Sequence, residues 1–426
     1  MYISLVLSAA ASLRGASRTM ELIPSCFDIN FTVPTWYTGR LWLLRLGYYK
    51  LTREKEIADD WIWIVDHTVQ WGKEKCFAIL GVRQSDLPRS ETILRYEDLE
   101  PIALYPVTKS NGNIVYKQLE EATCKTGIPR EIISDHGTDV KSGIKRFCEN
   151  HKETCFIYDI THKVAAMLKK ELHQNERWKE FITYAANTRK NLQQTDIACL
   201  APPNQRSKAR YMNADKLIKW ADKHLLFLDH QSNTPCSGFD EEKLDEKLGW
   251  LDDFRNDIAY WYELVQLTKT VENFVKFNGI YENAHRDLIE IISDCDMDDY
   301  FRTEKMRQIQ NELIGFVEVE AEKALPDERL LGSSEIIESS FGKLKYLERN
   351  QSKSGFTVFM LSYAASIAET TQSIVHKAME TVSTKNIFEW FENHVGKSVQ
   401  SKRMELNSFM SGLEQKRNHM NMAWVG

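Results

Sequence analysis

Trp61-Ile62-Trp63-Ile64-Val65-Asp66 is apolar at every position until its last. A strand with apolar side chains on both faces is covered on both, so this stretch predicts the centre of a sheet with helices above and below. Two further strands follow, Lys75 to Val82 and Ile102 to Val107, the first returning on Trp61–Asp66 as a hairpin across Gln70-Trp-Gly-Lys73. Asn113 to Thr126 reads as a helix ended by Gly127 and Pro129, and Arg130 to Asp135 as a fourth strand. A helix from Val140 to Asn150, a strand from Thr154 to Asp159 and a helix from Thr161 to His173, capped by Thr161, complete the pattern. Three hairpin-like strands followed by alternating helices and strands predict an α/β fold with a mixed sheet flanked by helices.

Outward from this core the strand signal stops. Residues 1–52 read as a short helical N-terminal region in two pieces, Leu5 to Leu22 and the run after Thr35, with Thr35 as cap and Gly47 as stop. Arg40 and Arg45 alternate there with aromatics, which suits either a DNA-binding remnant or a helical hairpin packed on the main domain. Beyond residue 174, Glu176 to Asn191, Asp215 to Leu228, Leu248 to Phe277, Asp287 to Ile292 and Thr303 to Leu325 all favour helix. The expected division is 1–52, a first catalytic part at 53–175, an all-helical insertion at 176–330, a second catalytic part at 331–400 and a tail at 401–426.

The 426 residues carry 55 Lys+Arg against 61 Asp+Glu, with 42% hydrophobic residues, which excludes a disordered tail, a collagen-like chain and a disulfide miniprotein. The net charge of −6 hides a division: residues 236–330 hold 24 acids and 11 bases, the rest 44 bases against 37 acids. The acidic block lies inside the insertion and is expected away from any phosphate-bearing partner, which the basic remainder can meet. Eight scattered cysteines lack the spacing of a disulfide framework, and the apolar start has no positive region before it, so a cytoplasmic protein is expected. No apolar run reaches the ~20 residues that span a bilayer, so no membrane partner is expected.

Carboxylates at strand ends carry the chemistry. Asp66 closes one apolar strand, and Asp135 closes another and opens Asp135-His-Gly-Thr-Asp139. Such a pair can converge on Mg²⁺, which is usually held by one or two protein carboxylates and substrate phosphates. Two such ions ~3.5–4 Å apart activate water and stabilise the leaving oxygen of a phosphodiester. Gly137 lets the backbone pass close to that point. A third carboxylate from a helix is offered twice, by Glu335 and Glu338, after a Ser333 or Ser334 cap. Lys343 and Lys345 follow as phosphate contacts.

Asp66 on its strand, the Asp135-His-Gly-x-Asp139 turn, and Glu338 followed seven residues later by Lys345 resemble the DDE transposases of the RNase H-like superfamily. The likeness is greatest to bacterial cut-and-paste insertion-sequence enzymes, in which a long insertion precedes the third carboxylate, and it spans residues 55–395. It implies an RNase H-like catalytic domain in which Asp66, Asp135 and Glu338 bind Mg²⁺ or Mn²⁺. It further implies cleavage of double-stranded DNA at element ends, joining of a 3′-OH to target DNA, a homodimer and a nucleoid-associated, cytoplasmic location in a bacterium. Where the related pattern has Tyr and Arg seven and four residues before its glutamate, this chain has Leu331 and Ser334, which leaves Glu335 open beside Glu338. Two other functions fit the same residues: a transposase-derived DNA-binding protein that no longer cuts, and a metal-dependent nuclease that never transfers a strand.

Other candidates are subsidiary. Asp139 either caps the following helix or supports the site, and Asp159 and His162 have the same two readings. Arg206, Lys208 and Arg210, in a stiff Pro-Pro loop beside Tyr211, suit a DNA backbone. Cys148, His151, Cys155 and His162 lack zinc-site spacing and read as buried thiols and surface histidines. The tryptophans read as core.

Overall fold

The computed structural model describes residues 1–27, 30–67, 75–87, 92–205, 214–233, 241–294, 303–349, 358–395 and 403–413. The chain divides into two compact units. The first comprises 1–87, 94–156 and 334–426, and the second comprises 88–93 and 157–333. The boundaries fall within the fifth strand of the sheet and just before the helix bearing Glu335 and Glu338. None of the described helices is long and apolar enough to cross a membrane.

The first unit opens with helices α1 (Tyr2–Leu7), α2 (Leu13–Phe27) and α3 (Trp36–Thr52). Thr35 caps α3 as predicted, its hydroxyl accepting from the Thr38 amide at 3.2 Å. Strands β1 (Trp61–His67), β2 (Lys75–Arg83) and β3 (Glu100–Val107) follow, then α4 (Gly112–Thr126), β4 (Glu131–Ser134), α5 (Thr138–Asn150) and β5 (Cys155–Tyr158). The strands form one mixed sheet in the order β3-β2-β1-β4-β5. β1 runs antiparallel to β2, with Asp66 opposite Ala78, and parallel to β4, with Ile64 opposite Ile133. The centrality read from Trp61–Asp66 is thus observed: Ile62, Trp63, Ile64 and Val65 are fully buried.

One face of the sheet is a packed cluster of Trp61, Trp63, Val65, Phe77, Ile79 and Ile132 with Val115 and Leu119 of α4 and Ile144 and Phe147 of α5. α4 starts at Asn111, whose side chain accepts from the Ile114 amide at 3.0 Å, and stops at Gly127, where φ is 86°. That left-handed conformation excludes most side chains, and a Cβ there would lie 2.6 Å from the Ala58 carbonyl oxygen.

The second unit holds α6 (Ile160–Leu172), α7 (Glu176–Leu192), α8 (Ala214–Asn233), α9 (Glu241–Leu248), α10 (Arg255–Asn278), α11 (Ala284–Asp294) and α12 (Glu304–Ala321). Its core is aromatic: Trp178 and Trp261 meet edge to face at 4.8 Å, and Phe181 lies 5.1 Å from Trp261. These tryptophans are core, as expected. Two expectations are corrected here. The insertion is not wholly helical, because β6 (Ile280–Tyr281) pairs antiparallel with β7 (Arg329–Leu330). Gly279, with φ at 72°, turns the chain out of α10 into β6. Thr161 does not cap α6; the Asp159 carboxylate does, accepting from the His162 amide at 2.9 Å.

The first unit is completed by α13 (Glu335–Arg349), α14 (Leu361–Ser366), α15 (Gln372–Thr381) and α16 (Thr384–His394). α3 packs on α14, α15 and α16, and α13 contacts both α14 and β1. Gly47 does not end α3, which continues to Thr52. It is small because α14 crosses it: a Cβ there would stand 1.8 Å from the Leu361 carbonyl oxygen. Basic side chains on either side of that contact take up helix-end carbonyls, which have no partner inside their own helix. Arg45 donates to the carbonyls of Met379 and, at 2.6 Å, Val382 at the end of α15. Lys50 is fully buried, its Nζ donating to the carbonyls of Ala365 at 3.1 Å, Ile367 at 2.6 Å and Ala368 at 2.8 Å and to Thr370 Oγ1 at 2.7 Å. Burial, with Arg53 nearby, pushes the Lys50 ammonium down to about 7.

Candidate active site

The β1–β4 ladder brings Asp66 and Asp135 to one end of the sheet. Its last paired positions are Ile64 and Ile133, and two residues further along each strand are the two aspartates. Side chains alternate along a strand, so Asp66 shares the face of Ile62 and Ile64, opposite the Trp61–Trp63–Val65 cluster. Asp135 follows the last residue of β4, two positions after Ile133, which pairs with Ile64. Both aspartates are half-buried. Asp66 Oδ1 accepts from the His67 amide at 2.6 Å, and Asp135 Oδ1 accepts from the Gly137 amide at 3.0 Å. The backbone does pass close at Gly137: a Cβ there would sit 3.1 Å from Asp135 Oδ1.

α13 contacts β1. On it Glu338 is half-buried and Glu335 exposed. Tyr363 of α14 is hydrogen-bonded to this helix. Its hydroxyl lies 2.8 Å from Ser340 Oγ, and its phenol is raised well above the ordinary value by burial first, with the Asp66 charge adding to the effect.

Asp139 is not the cap of α5, which begins one residue earlier at Thr138. Its Oδ2 lies 2.7 Å from Lys75 Nζ on β2 and 3.9 Å from His67 Nε2 on β1. Burial opposes ionisation of this carboxyl, but hydrogen bonds from Lys75 and Ser110 and the nearby His67 and Lys75 charges together outweigh it and hold Asp139 well below the usual carboxylate range. His67 is pushed down to about 4, by burial first and the Lys75 charge second, against the pull of Asp139 and Asp135. It is a neutral imidazole near pH 7.

That shift has a sign that can be tested in metal-free protein. The depressed folded pKa means the unfolded chain takes the proton first, so His67 lowers stability as pH falls below about 6.5. The loss is complete below the folded value, at roughly 3 kcal/mol. Urea unfolding between pH 7 and pH 4 is expected to show this loss beyond that of a His67→Gln variant. Parallel curves for the two proteins would contradict it.

The remaining candidates divide. Asp159 is buried and engaged in capping α6, and His162 provides the amide it accepts from; both lie in the second unit. Lys343 Nζ stands 4.8 Å above the Tyr96 ring, and Lys345 is exposed. Arg206, Lys208 and Arg210 lie outside the described residues. His151 pairs with Glu120 at 3.0 Å and packs on Phe147 at 4.3 Å. Among the described residues, no three His, Cys, Asp or Glu side chains gather closely enough to hold a metal ion. Sequence reasoning assigned no role to His67, Lys75, Tyr96 or Tyr363. The first two could have been found by pairing the strands next to Asp66, whereas Tyr363 sits in an apolar run without any polar pattern.

No protein-family model matches the chain, and no curated protein matches it. Solved structures similar to it include the Drosophila P element transposase strand transfer complex, at 10% identity and a TM-score of 0.31 over 96% of this chain and 85% of that one.

Proposed function

We propose that this chain is a DDE-type DNA transposase that cuts the ends of a mobile element and joins them to target DNA. The observation that carries the reading is the pair Asp66 and Asp135, two residues past the last pairing of parallel neighbours, with the helix of Glu338 also contacting β1. The sheet order β3-β2-β1-β4-β5, with three antiparallel strands and β4 parallel to β1, supports an RNase H-like arrangement.

The donor set suits Mg²⁺, or Mn²⁺ in its place. Two half-buried carboxylates are hard oxygen ligands, and substrate phosphate oxygens ordinarily complete the shell of this ion. Bound there, it would lower the pKa of water and neutralise charge on the phosphate. Asp66 and Asp135 would hold it, with Glu338 as the third carboxylate in preference to the exposed Glu335. Lys343, Lys345, Arg206, Lys208 and Arg210 would hold DNA phosphates, with Asp139 supporting. In the first step water attacks the phosphorus at the element end and the 3′-oxygen leaves with a proton. In the second, that 3′-OH attacks a target phosphodiester, displacing a target 3′-oxygen. A homodimer would bring two ends together.

The test incubates the purified chain with Mg²⁺, a supercoiled target plasmid and DNA carrying the sequences that flank its coding region. The expected result is end cleavage followed by joined product, both abolished by EDTA. Nicking without joining would make the protein a nuclease. Salt-dependent binding without nicking would make it a DNA-binding protein that no longer cuts.

A further inference from the structure

Glu338 is followed by two serines whose hydroxyls are both engaged. Ser339 Oγ lies 2.6 Å from the Tyr96 hydroxyl, and Ser340 Oγ lies 2.8 Å from the Tyr363 hydroxyl. Ser340 gives its own proton to the Ile337 carbonyl at 2.6 Å. A serine has only one to give, so Tyr363 is the donor in its pair. Successive helical residues point about 100° apart around the axis. One anchor leaves a helix free to roll, whereas two anchors at that angle fix its rotation and its height together.

Both tyrosines are themselves held. Tyr363 is fully buried, with its ring 5.4 Å from Phe341. Tyr96 lies against Lys343, and its carbonyl accepts from the Ala368 amide at 2.8 Å. Ala368 in turn gives its carbonyl to the buried Lys50. Hydrogen bonds therefore run unbroken from α3 through the 365–370 turn and Tyr96 to the residue after Glu338.

We propose that Tyr96 and Tyr363 are positioning residues that set where Glu338 stands, by hydroxyl bonds to Ser339 and Ser340 from two directions. This rests on the reading of Glu338 as the third carboxylate.

The test uses full-length wild type, Tyr96→Phe, Tyr363→Phe and the double variant, each substitution keeping the ring and removing one oxygen. Hydrogen exchange on metal-free protein is expected to quicken about tenfold across 335–341 for each single variant, and more for the double, while β1 stays protected. Unchanged exchange in the double variant overturns the proposal. With Fe²⁺, ascorbate and peroxide, wild type is expected to be cut near residues 66, 135 and 338. The double variant should lose the cut near 338 and keep the other two. If exchange quickens but the third cut persists, the tyrosines only stabilise the helix and the positioning role is wrong. If wild type shows no cuts near 66 and 135, the carboxylate reading of the site falls, and exchange still decides the anchoring.

Discussion

Asp66→Asn and Asp135→Asn are each expected to lower Mg²⁺-dependent strand cleavage about a thousandfold, since several kcal/mol of metal-derived stabilisation is lost at about 1.4 kcal/mol per decade. Both side chains keep their size and one acceptor oxygen. Asp66 Oδ1 can still accept from the His67 amide and Asp135 Oδ1 from the Gly137 amide, so the strand ends should keep their conformation. What is lost is a negative charge at the point where a hard cation would bind. Circular dichroism and thermal melting are expected to be unchanged, while cleavage and joining fall together. Full activity in either variant would remove that residue from the site. Glu338→Gln is expected to behave alike and Glu335→Gln to stay near wild type, because only Glu338 is half-buried.

Gly47→Ala is expected to cost about 3 kcal/mol, the upper range for overpacking a close contact. The added Cβ would stand 1.8 Å from the Leu361 carbonyl oxygen and 3.1 Å from the Ala365 amide nitrogen. Both are backbone atoms and cannot swing aside, so α14 itself must shift. Helix propensity runs the other way, favouring Ala over Gly by up to about 1 kcal/mol, and is outweighed. Gly342→Ala on α13 supplies the contrast: nothing lies within 4 Å of its Cβ position, so only the propensity term remains. Urea midpoints should therefore move in opposite directions for the two substitutions. A stabilised Gly47→Ala protein would mean that α3 and α14 do not touch as described.

The sheet was legible because its evidence is local. Trp61–Val65 is apolar on both faces, and that alone makes β1 central; its flanking segments follow from length and turn residues. Asp66 and Asp135 were readable as strand-end carboxylates for the same reason. Other features needed partners far along the chain. Gly47 looks like a helix stop until α14 is seen crossing it. Asp139 looks like a cap until Lys75, 64 residues away in sequence, is found at its carboxylate. β6 and β7, at two residues each, are too short to show any alternation. Lys50 is the extreme case, because a lysine in a sequence signals surface, and only a ring of oxygens around its Nζ makes full burial tolerable.

That lysine also sets a timetable. The nearest carbonyl it meets along the sequence, that of Ala365, lies 315 residues further on. At the usual ~5–20 residues per second of synthesis, Lys50 emerges from the ribosome roughly 15–60 s before its partners do. During that interval α3 can meet α1, α2 and β3 but lacks α14, α15 and α16, and β1 lacks α13. Most of the second unit, at 157–333, is complete before the last segment of the first unit begins to appear. The nascent chain must therefore carry a finished inner unit between two halves of an unfinished outer one. A premature stop before residue 335 would omit α13, α14, α15 and α16 and leave α3 without those partners, a product fit for degradation.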